Sequence, residues 1–160
     1  MLWDPQNPGD RQEWKESQLA AKQLGLQLHS MEISSADKYE GAFKEALKAR
    51  SAALAVAASS LATANPKLIA DLAAKHRLPA IFDRGEFVAG GGLMSYGPER
   101  AESYRRAAVF VDKILKGTKP ADLPVEQPTK FELQINLKTA KSLGLTILSV
   151  VLMRTEKVIK

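Results

Sequence analysis

The stretch LPAIFDRGEFVAGGGLMSYGPE, residues 78–99, decides the fold. It opens with an apolar run, residues 78–82, that ends in charge at Asp83, Arg84 and Glu86. Three glycines then lead into a second short apolar run. Two apolar runs separated by a polar turn predict two buried strands whose ends carry polar groups to one edge of a sheet. Because ligands of open α/β sheets bind at that edge, the stretch predicts half of a ligand-binding cleft.

The sequence on either side alternates between apolar runs and amphipathic segments. Residues 52–58 are continuously apolar, which is typical of a strand covered on both faces. Asp10 is a predicted helix cap with Glu13 as its capping-box partner, and Asn65-Pro66 is another helix start. We expect an α/β fold with a doubly wound parallel sheet and helices on both faces. The predicted strands are residues 1–3, 26–33, 52–58, 79–82, 93–96 and 130–135, and the predicted helices are residues 10–24, 34–47, 66–77, 99–116 and 136–143.

Helical periodicity predicts which side chains face the core. Glycine is expected to end three of the helices, because it adopts the left-handed conformation without strain. The predicted inward positions are Trp14, Ala21 and Leu24, then Tyr39, Phe43, Ala46 and Leu47, then Leu68, Ile69, Leu72 and Ala73, and finally Tyr104, Ala108, Val111 and Leu115.

The composition excludes several classes of protein. A length of 160 residues fits one domain or one large lobe. The net charge of +5 is spread among acids along the helices, and no basic stripe with interleaved aromatics is present, so no nucleic-acid partner is expected. The absence of cysteine rules out disulfides, thiolate zinc sites and a cysteine nucleophile.

Cofactor and catalytic motifs are also absent. His29 and His76 are too few and too far apart in sequence for a metal site, and the glycine run lacks the Lys-Ser/Thr of a phosphate-binding loop. No Ser-His-Asp or Cys-His arrangement can be assembled. We therefore expect a protein with no cofactor, no metal and no catalysis of its own.

Two features bear on location. The late apolar run, residues 143–153, is interrupted by polar residues and is shorter than the ~20 residues of a membrane span. The amino terminus lacks the basic, apolar and small-residue order of a signal peptide, so the chain as it stands is expected in the cytoplasm.

Four predicted loops converge at the carboxyl ends of the strands. A free amino acid needs a carboxylate for its ammonium group, and hydroxyls or helix N-terminal N–H groups for its carboxylate. Acids after the fourth strand suit the first task, serines after the third strand suit the second, and Phe82, Phe87 or Tyr96 can stack on an aromatic ring. Ser95 lies beside Tyr96 at the end of the fifth strand. The candidate ligand-binding residues are Asp4, Asn7, Ser59, Ser60, Asp83, Arg84, Glu86 and Tyr96.

Each candidate also has an ordinary structural explanation. Asp83 can be a turn residue that opens a loop, and Glu86 can be a carboxylate in a helical turn. The two serines can simply end a strand. Arg84 can pair locally with Glu86, and Tyr96 is more often a core residue than a cleft residue.

Four stretches of the sequence together match the pattern of one known family. They are LWDPQNP at residues 2–8, ADLAAKHRLPA at residues 70–80, EFVAGGGLMSYGP at residues 86–98, and the long segment of residues 105–147. These stretches resemble the substrate-binding proteins of ABC transporters of the tryptophan/tyrosine uptake type. The likeness covers essentially the whole chain, and a full member of that family is about twice as long, with two lobes.

The resemblance implies a type I periplasmic-binding fold and a non-catalytic solute-binding component. Residues 1–97 would form the ligand-binding second lobe, and residues 98–160 would cross back and pack on a first lobe that this chain lacks. Without that lobe, exposed apolar faces would favour a homo-oligomer. The implied ligand is a small molecule such as an aromatic amino acid, and the implied partner is an ABC permease. The implied location is the periplasm or a lipid anchor outside the cell.

A flavodoxin-like signalling or effector-sensing domain is the alternative. A phosphoacceptor domain would carry a lone acid after the third strand, where this chain has Ser59 and Ser60. The effector lobe of a repressor would need a basic DNA-reading helix, which the sequence lacks.

Overall fold

The computed structural model describes the whole chain, residues 1–160, as short strands alternating with helices. No helix combines the length and the apolar composition that crossing a membrane requires. The strands are β1 Leu2–Trp3, β2 Met31–Glu32, β3 Leu54–Ala55, β4 Ala80–Phe82, β5 Met94–Pro98, β6 Phe131–Asn136 and β7 Lys157–Ile159. The helices are α1 Pro8–Gln23, α2 Tyr39–Lys48, α3 Ser60–Ala64, α4 Pro66–Lys75, α5 Gly85–Ala89, α6 Arg100–Leu115, α7 Leu137–Ser142 and α8 Ser149–Leu152.

The strands lie side by side in the order β2-β1-β3-β4-β5-β6-β7. The β1–β2 pair is joined to β3 by a parallel bridge between Leu2 and Val56, and the Ala57 N–H donates to the Leu2 carbonyl at 2.9 Å. Strands β1 to β5 all run parallel to their neighbours, whereas β6 runs antiparallel to β5 and β7 runs parallel to β6. The predicted α/β fold is confirmed, and its sheet is parallel except for the antiparallel β5–β6 pair.

The carboxyl-terminal third of the chain extends this same sheet. In the β5–β6 register Ser95 lies opposite Gln134, and Pro98 lies opposite Phe131. Strand β7 then adds the outermost strand. The division at residues 97 and 98, and the packing of residues 98–160 on a first lobe, stay predictions.

The core lies between the sheet and the helices α2, α4 and α5. Phe82 and Phe87 stack with ring centroids 4.5 Å apart, and both are at most 2% exposed. Tyr39, Phe43 and Ile69 are equally buried. Burying each large apolar side chain contributes roughly 1.5–3 kcal/mol, so these residues fix the helices against the strands that end at the cleft.

Helix α1 begins two residues earlier than predicted, and its cap is Asn7. The Asn7 Oδ1 accepts hydrogen bonds from the N–H groups of Gly9 and Asp10, at 2.8 and 3.4 Å. Proline occupies the first helical position, where its missing N–H costs nothing. The prediction that Asp10 caps this helix is therefore wrong. Glu13 makes no capping box either, because its carboxylate accepts the Ala58 N–H at 3.3 Å.

Some side chains predicted to face inward are exposed. Leu24 is 71% exposed, and Leu47 and Leu68 are more than 40% exposed, because each lies at the margin of its helix's apolar stripe. Helix α6 buries none of its residues, and Leu115 near its end is 82% exposed. The face of α6 carrying Tyr104, Ala108, Val111 and Leu115 is thus uncovered in this chain.

Candidate functional site

A cleft of about 610 Å³ opens where β4 and β5 end and β6 begins. Its wall is polar, with acids and bases intermingled and only small apolar side chains. The residues lining it are Ala58, Asp83, Arg84, Gly85, Glu86, Ala89, Ser95, Gly97, Pro98, Glu99, Arg100, Ala101, Glu132, Gln134 and Lys157.

Asp83 and Arg84 leave the end of β4 directly into the cleft. The Arg84 Nε lies 2.9 Å from the Asp83 Oδ2, and both side chains are about three-quarters buried, with 30% and 21% of their areas exposed. Arg84 therefore pairs with the preceding aspartate. The alternative explanation from the sequence, a local pair between Arg84 and Glu86, is wrong, because Glu86 pairs with Arg100. A ligand that approaches Asp83 meets a carboxylate already oriented by a neighbouring cation.

Glu86 lies in the first turn of α5, on the outer part of the cleft. Its Oε1 accepts a hydrogen bond from Arg100 Nη1 at 3.0 Å, and its side chain is 61% exposed. An exposed pair of this kind contributes little to stability, so Glu86 can exchange its arginine for another cation at low cost.

Asp4 and Asn7 belong to the loop after β1 and do not line the cleft. The Asn7 side-chain oxygen is used by the α1 cap, and the Asp4 Oδ1 accepts the Gln6 N–H at 2.8 Å. Both oxygens thus already have partners within the loop. Their ligand-binding roles stay predictions.

Buried acids make this edge of the sheet electronegative. Burial raises the pKa of Asp10, the hydrogen bond from the Asp4 N–H opposes that rise, and the negative charges of Asp4 and Asp83 add to it. Burial likewise raises the pKa of Glu13, with smaller contributions from Asp10 and Asp83. Carboxylates that raise one another's pKa lie close together, so this edge favours a cationic group.

Ser59 and Ser60 lie at the start of α3, a short helix that the sequence did not predict. Ser59 is 4% exposed, and its Oγ accepts the Ala62 N–H at 2.9 Å, so it caps α3. Ser60 is the exposed first residue of that helix. Only the preceding residue, Ala58, lines the cleft. Ligand contact by either serine stays a prediction.

Aromatic side chains lie away from the cleft. Phe82 and Phe87 are core residues, so the suggestion that they stack on a ligand is wrong. Tyr96 follows Ser95 in β5 and therefore projects from the opposite face of the sheet, where it stacks on Phe131 with centroids 5.5 Å apart. It is 56% exposed there, and its ligand contact stays a prediction.

Several cleft residues come from segments that sequence analysis did not connect with the site. Glu99 and Arg100 open α6, Glu132 and Gln134 lie in β6, and Lys157 lies in β7. The sequence did predict a strand at residues 130–135, which is β6. It carried no information about which strand β6 would pair with.

The fold and the sequence both match known proteins. The chain superposes with a TM-score of 0.90 on a conserved domain protein from Vibrio cholerae O1 biovar El Tor strain N16961 (20% identity) and on an ABC domain in complex with L-Trp from Streptococcus pneumonia (22% identity). A ligand-free, open substrate-binding protein with adhesive properties from Clostridium difficile gives 0.74 at 16% identity. This chain is covered over 98–99% of its length and spans 53% of each of these three. The shared architecture is that of periplasmic-binding-protein-like domains.

The sequence matches the family described as ABC transporter substrate binding protein over residues 1–159. The chain belongs to this family, whose members bind substrates and are not catalysts. None of the curated proteins with which the sequence was compared matches it.

Proposed function

We propose that this chain is the solute-binding component of an ABC importer, or one lobe of it, and that it holds a small amino acid without transforming it. The observation that carries the proposal is the polar cleft at the carboxyl ends of β4 and β5, lined by both acids and bases. A zwitterion needs groups of both signs within a few ångströms. Family membership supports the same class of function.

An aromatic amino acid is the proposed ligand, by analogy with the structural neighbour that holds L-Trp. Since the cleft wall in this lobe carries no aromatic side chain, the lobe is suited to the ligand's charged groups. Asp83, with Glu86 as the outer alternative, is the proposed partner of the ammonium group. The ring would contact a facing surface.

The remaining parts of the proposal follow from the class of protein. A type I arrangement of two lobes, an ABC permease as partner and a location in the periplasm or on a lipid anchor belong together, because a solute receptor must meet both its solute and its permease. Family membership supports these statements. Cofractionation of the chain with a permease in membrane extracts is the measurement for them.

An NMR titration of the isotopically labelled chain with L-tryptophan tests the ligand. We expect weak, saturable shifts at the amides of residues 83–86, because a single wall buries little of the ligand. Asp83→Asn should weaken binding by about 1–3 kcal/mol if the carboxylate holds the ammonium group.

The matched control is Asp71→Asn, which removes the same charge from an exposed Lys67 pair on α4, outside the cleft. It should leave the titration unchanged. An Asp83→Asn titration identical to that of the control would remove Asp83 from the site. L-Tryptophan shifts located away from the cleft, or none at all, would overturn the proposed function.

A further inference from the structure

Three side chains form a row across β5, β6 and β7 on the floor of the cleft. Ser95 lies directly opposite Gln134, and Gln134 lies directly opposite Lys157. Residues directly opposite each other project from the same face of a sheet, with strands about 4.8 Å apart. All three residues line the cleft.

The row has hydrogen-bonding capacity that the protein does not use. Ser95 is 2% exposed, yet its hydroxyl makes no hydrogen bond within the chain. Lys157 forms no ion pair, whereas the two arginines of the cleft, Arg84 and Arg100, are each paired with an acid. The Ser95 hydroxyl is not among the fully buried atoms that lack a partner, so it keeps access to the cleft and can bond a group there.

Gln134 holds the middle position under close constraint. A Cβ atom built on Gly85 would lie 2.5 Å from the Gln134 amide, so this side chain lies over the start of α5. Its Nε2 donates to Glu132 Oε2 at 3.2 Å. That bond occupies one acceptor site of Glu132, the only acid of β6, and leaves Gln134 a second N–H to donate.

We propose that Ser95, Gln134 and Lys157 bind the carboxylate of the ligand, an inference that rests on the proposed function. A hydroxyl, an amide N–H and an ammonium group are all donors, and together they suit an anion with two oxygens. Ser95 is also opposite Phe82, the residue before Asp83. Asp83 lines the same cleft as the three donors, so the row and the Asp83 carboxylate can meet the two opposite charges of one α-amino acid.

NMR titration with sodium acetate, against sodium chloride at equal ionic strength, tests the row without an aromatic ring. We expect saturable acetate shifts at the amides of residues 95, 134 and 157, with millimolar affinity. Lys157→Gln should weaken acetate binding about tenfold, since hydrogen bonds to charged groups are among the stronger ones. Lys157→Arg should restore most of it. Lys160→Gln, which removes a charge outside the cleft, should have no effect.

Ser95→Ala provides a second variant. It should also weaken acetate binding, while its NMR spectrum remains that of a folded protein. Equal shifts with chloride would overturn the proposal that the row binds a carboxylate. Acetate binding that Lys157→Gln leaves unchanged would overturn it as well. If L-tryptophan shifts residues 83–86 while acetate does not reach the row, this inference fails and the proposed function stands. If acetate binds the row and no amino acid reaches the cleft, the proposed function fails and the row stands.

Discussion

Gly97 allows β5 to pass directly beside the loop that follows β4. A Cβ atom there would lie 2.0 Å from the carbonyl oxygen of Asp83 and 3.0 Å from its carbonyl carbon. Backbone atoms cannot move aside as the end of a flexible side chain can. The position of Asp83 in the cleft therefore requires a residue without a side chain at position 97.

Gly97→Ala is expected to destabilise the fold by about 1–3 kcal/mol or more, because the added methyl group displaces the β4–β5 backbone. Gly41→Ala is the matched control, since Gly41 lies in α2 with nothing within 4 Å of the built Cβ. It should stabilise the protein by roughly 0.5–1 kcal/mol, the ordinary preference of a helix for alanine. Urea unfolding of both variants measures the difference, and equal stabilities would contradict the close approach.

Single residues also show why the site was only partly predictable. Asn7 and Ser59 were assigned to the ligand because they follow strands, and the structure uses both as helix caps. A cap and a ligand contact use the same side-chain oxygen, so residue type and position cannot distinguish them. Asp83, Arg84 and Glu86 were correctly expected to share one region, because they are close in sequence and leave a buried strand together.

At the scale of elements, α1 is joined to the loop after β1 by a buried acid. The Asp10 Oδ2 accepts the Asp4 N–H at 2.8 Å, and Asp10 is 2% exposed. Burial raises the pKa of this carboxyl above its ordinary 3.8, an effect the Asp4 hydrogen bond opposes. The charged form of this link is thus less favourable in the folded state than in the unfolded state.

Asp10→Asn should gain stability relative to the wild type as pH rises from about 4 towards neutrality. Because the pKa of Asp10 is higher in the folded state, the protonated acid stabilises the wild-type fold fully at pH values below the unfolded-state pKa. This stabilisation of the wild type is lost as the pH rises through the folded-state pKa. Glu40 provides a control of opposite sign, because its hydrogen bond from Lys75 lowers the pKa of its carboxyl. Glu40→Gln should lose stability relative to the wild type as pH rises towards the ordinary 4.5 of this carboxyl, and should change little above it, so the series starts at about pH 3. Urea unfolding across this pH range measures both, and a pH-independent Asp10→Asn difference would contradict the prediction.

The order of elements was more predictable than their boundaries. Alternating apolar runs and amphipathic segments correctly indicated β1 to β5 and the helices α1, α2 and α4 between them, because that periodicity is local. Helices α3 and α5 were missed, since a five-residue helix has too few turns to show an apolar stripe. The partner of β6 was not predictable, because strand pairing over some 40 residues leaves no local pattern.

At the scale of the whole molecule, the exposed surface is large for the mass. The accessible area is 10,297 Å², whereas a monomer of 17.4 kDa is expected to expose roughly 7,900 Å². The excess of about 2,400 Å² is what one partner buries in a large obligate interface. Helix α6 accounts for part of this excess, because it buries no residue.

The apolar stripe of α6 suits a second copy of the same helix. Tyr104, Ala108, Val111 and Leu115 follow a spacing of four, three and four residues, which is that of a coiled-coil seam. The flanking charges are already paired within the chain, for example Arg105 with Glu102 and Lys116 with Asp112. A partner for this stripe therefore needs apolar side chains and not counter-charges.

We expect the chain to self-associate with increasing concentration in sedimentation velocity experiments. Leu115→Gln should shift the equilibrium towards monomer, because it places an amide at the carboxyl end of the apolar stripe, where Leu115 is 82% exposed in the single chain. Lys116→Gln, one residue along and outside the stripe, should leave association unchanged. A wild-type chain that stays monomeric at every concentration would contradict the pairing.

The reversed direction of β6 has a consequence for how the cleft comes into being during synthesis. Because β6 runs against β5, the end of one strand and the start of the other meet at the same edge, Pro98 beside Phe131. The first 130 residues hold the whole of the largest buried cluster and every loop on one side of the cleft, whereas the buried Ile135 and Ala140 come after them. The opposite wall is synthesised last, so the binding site is complete only when β6 and β7 have joined the sheet.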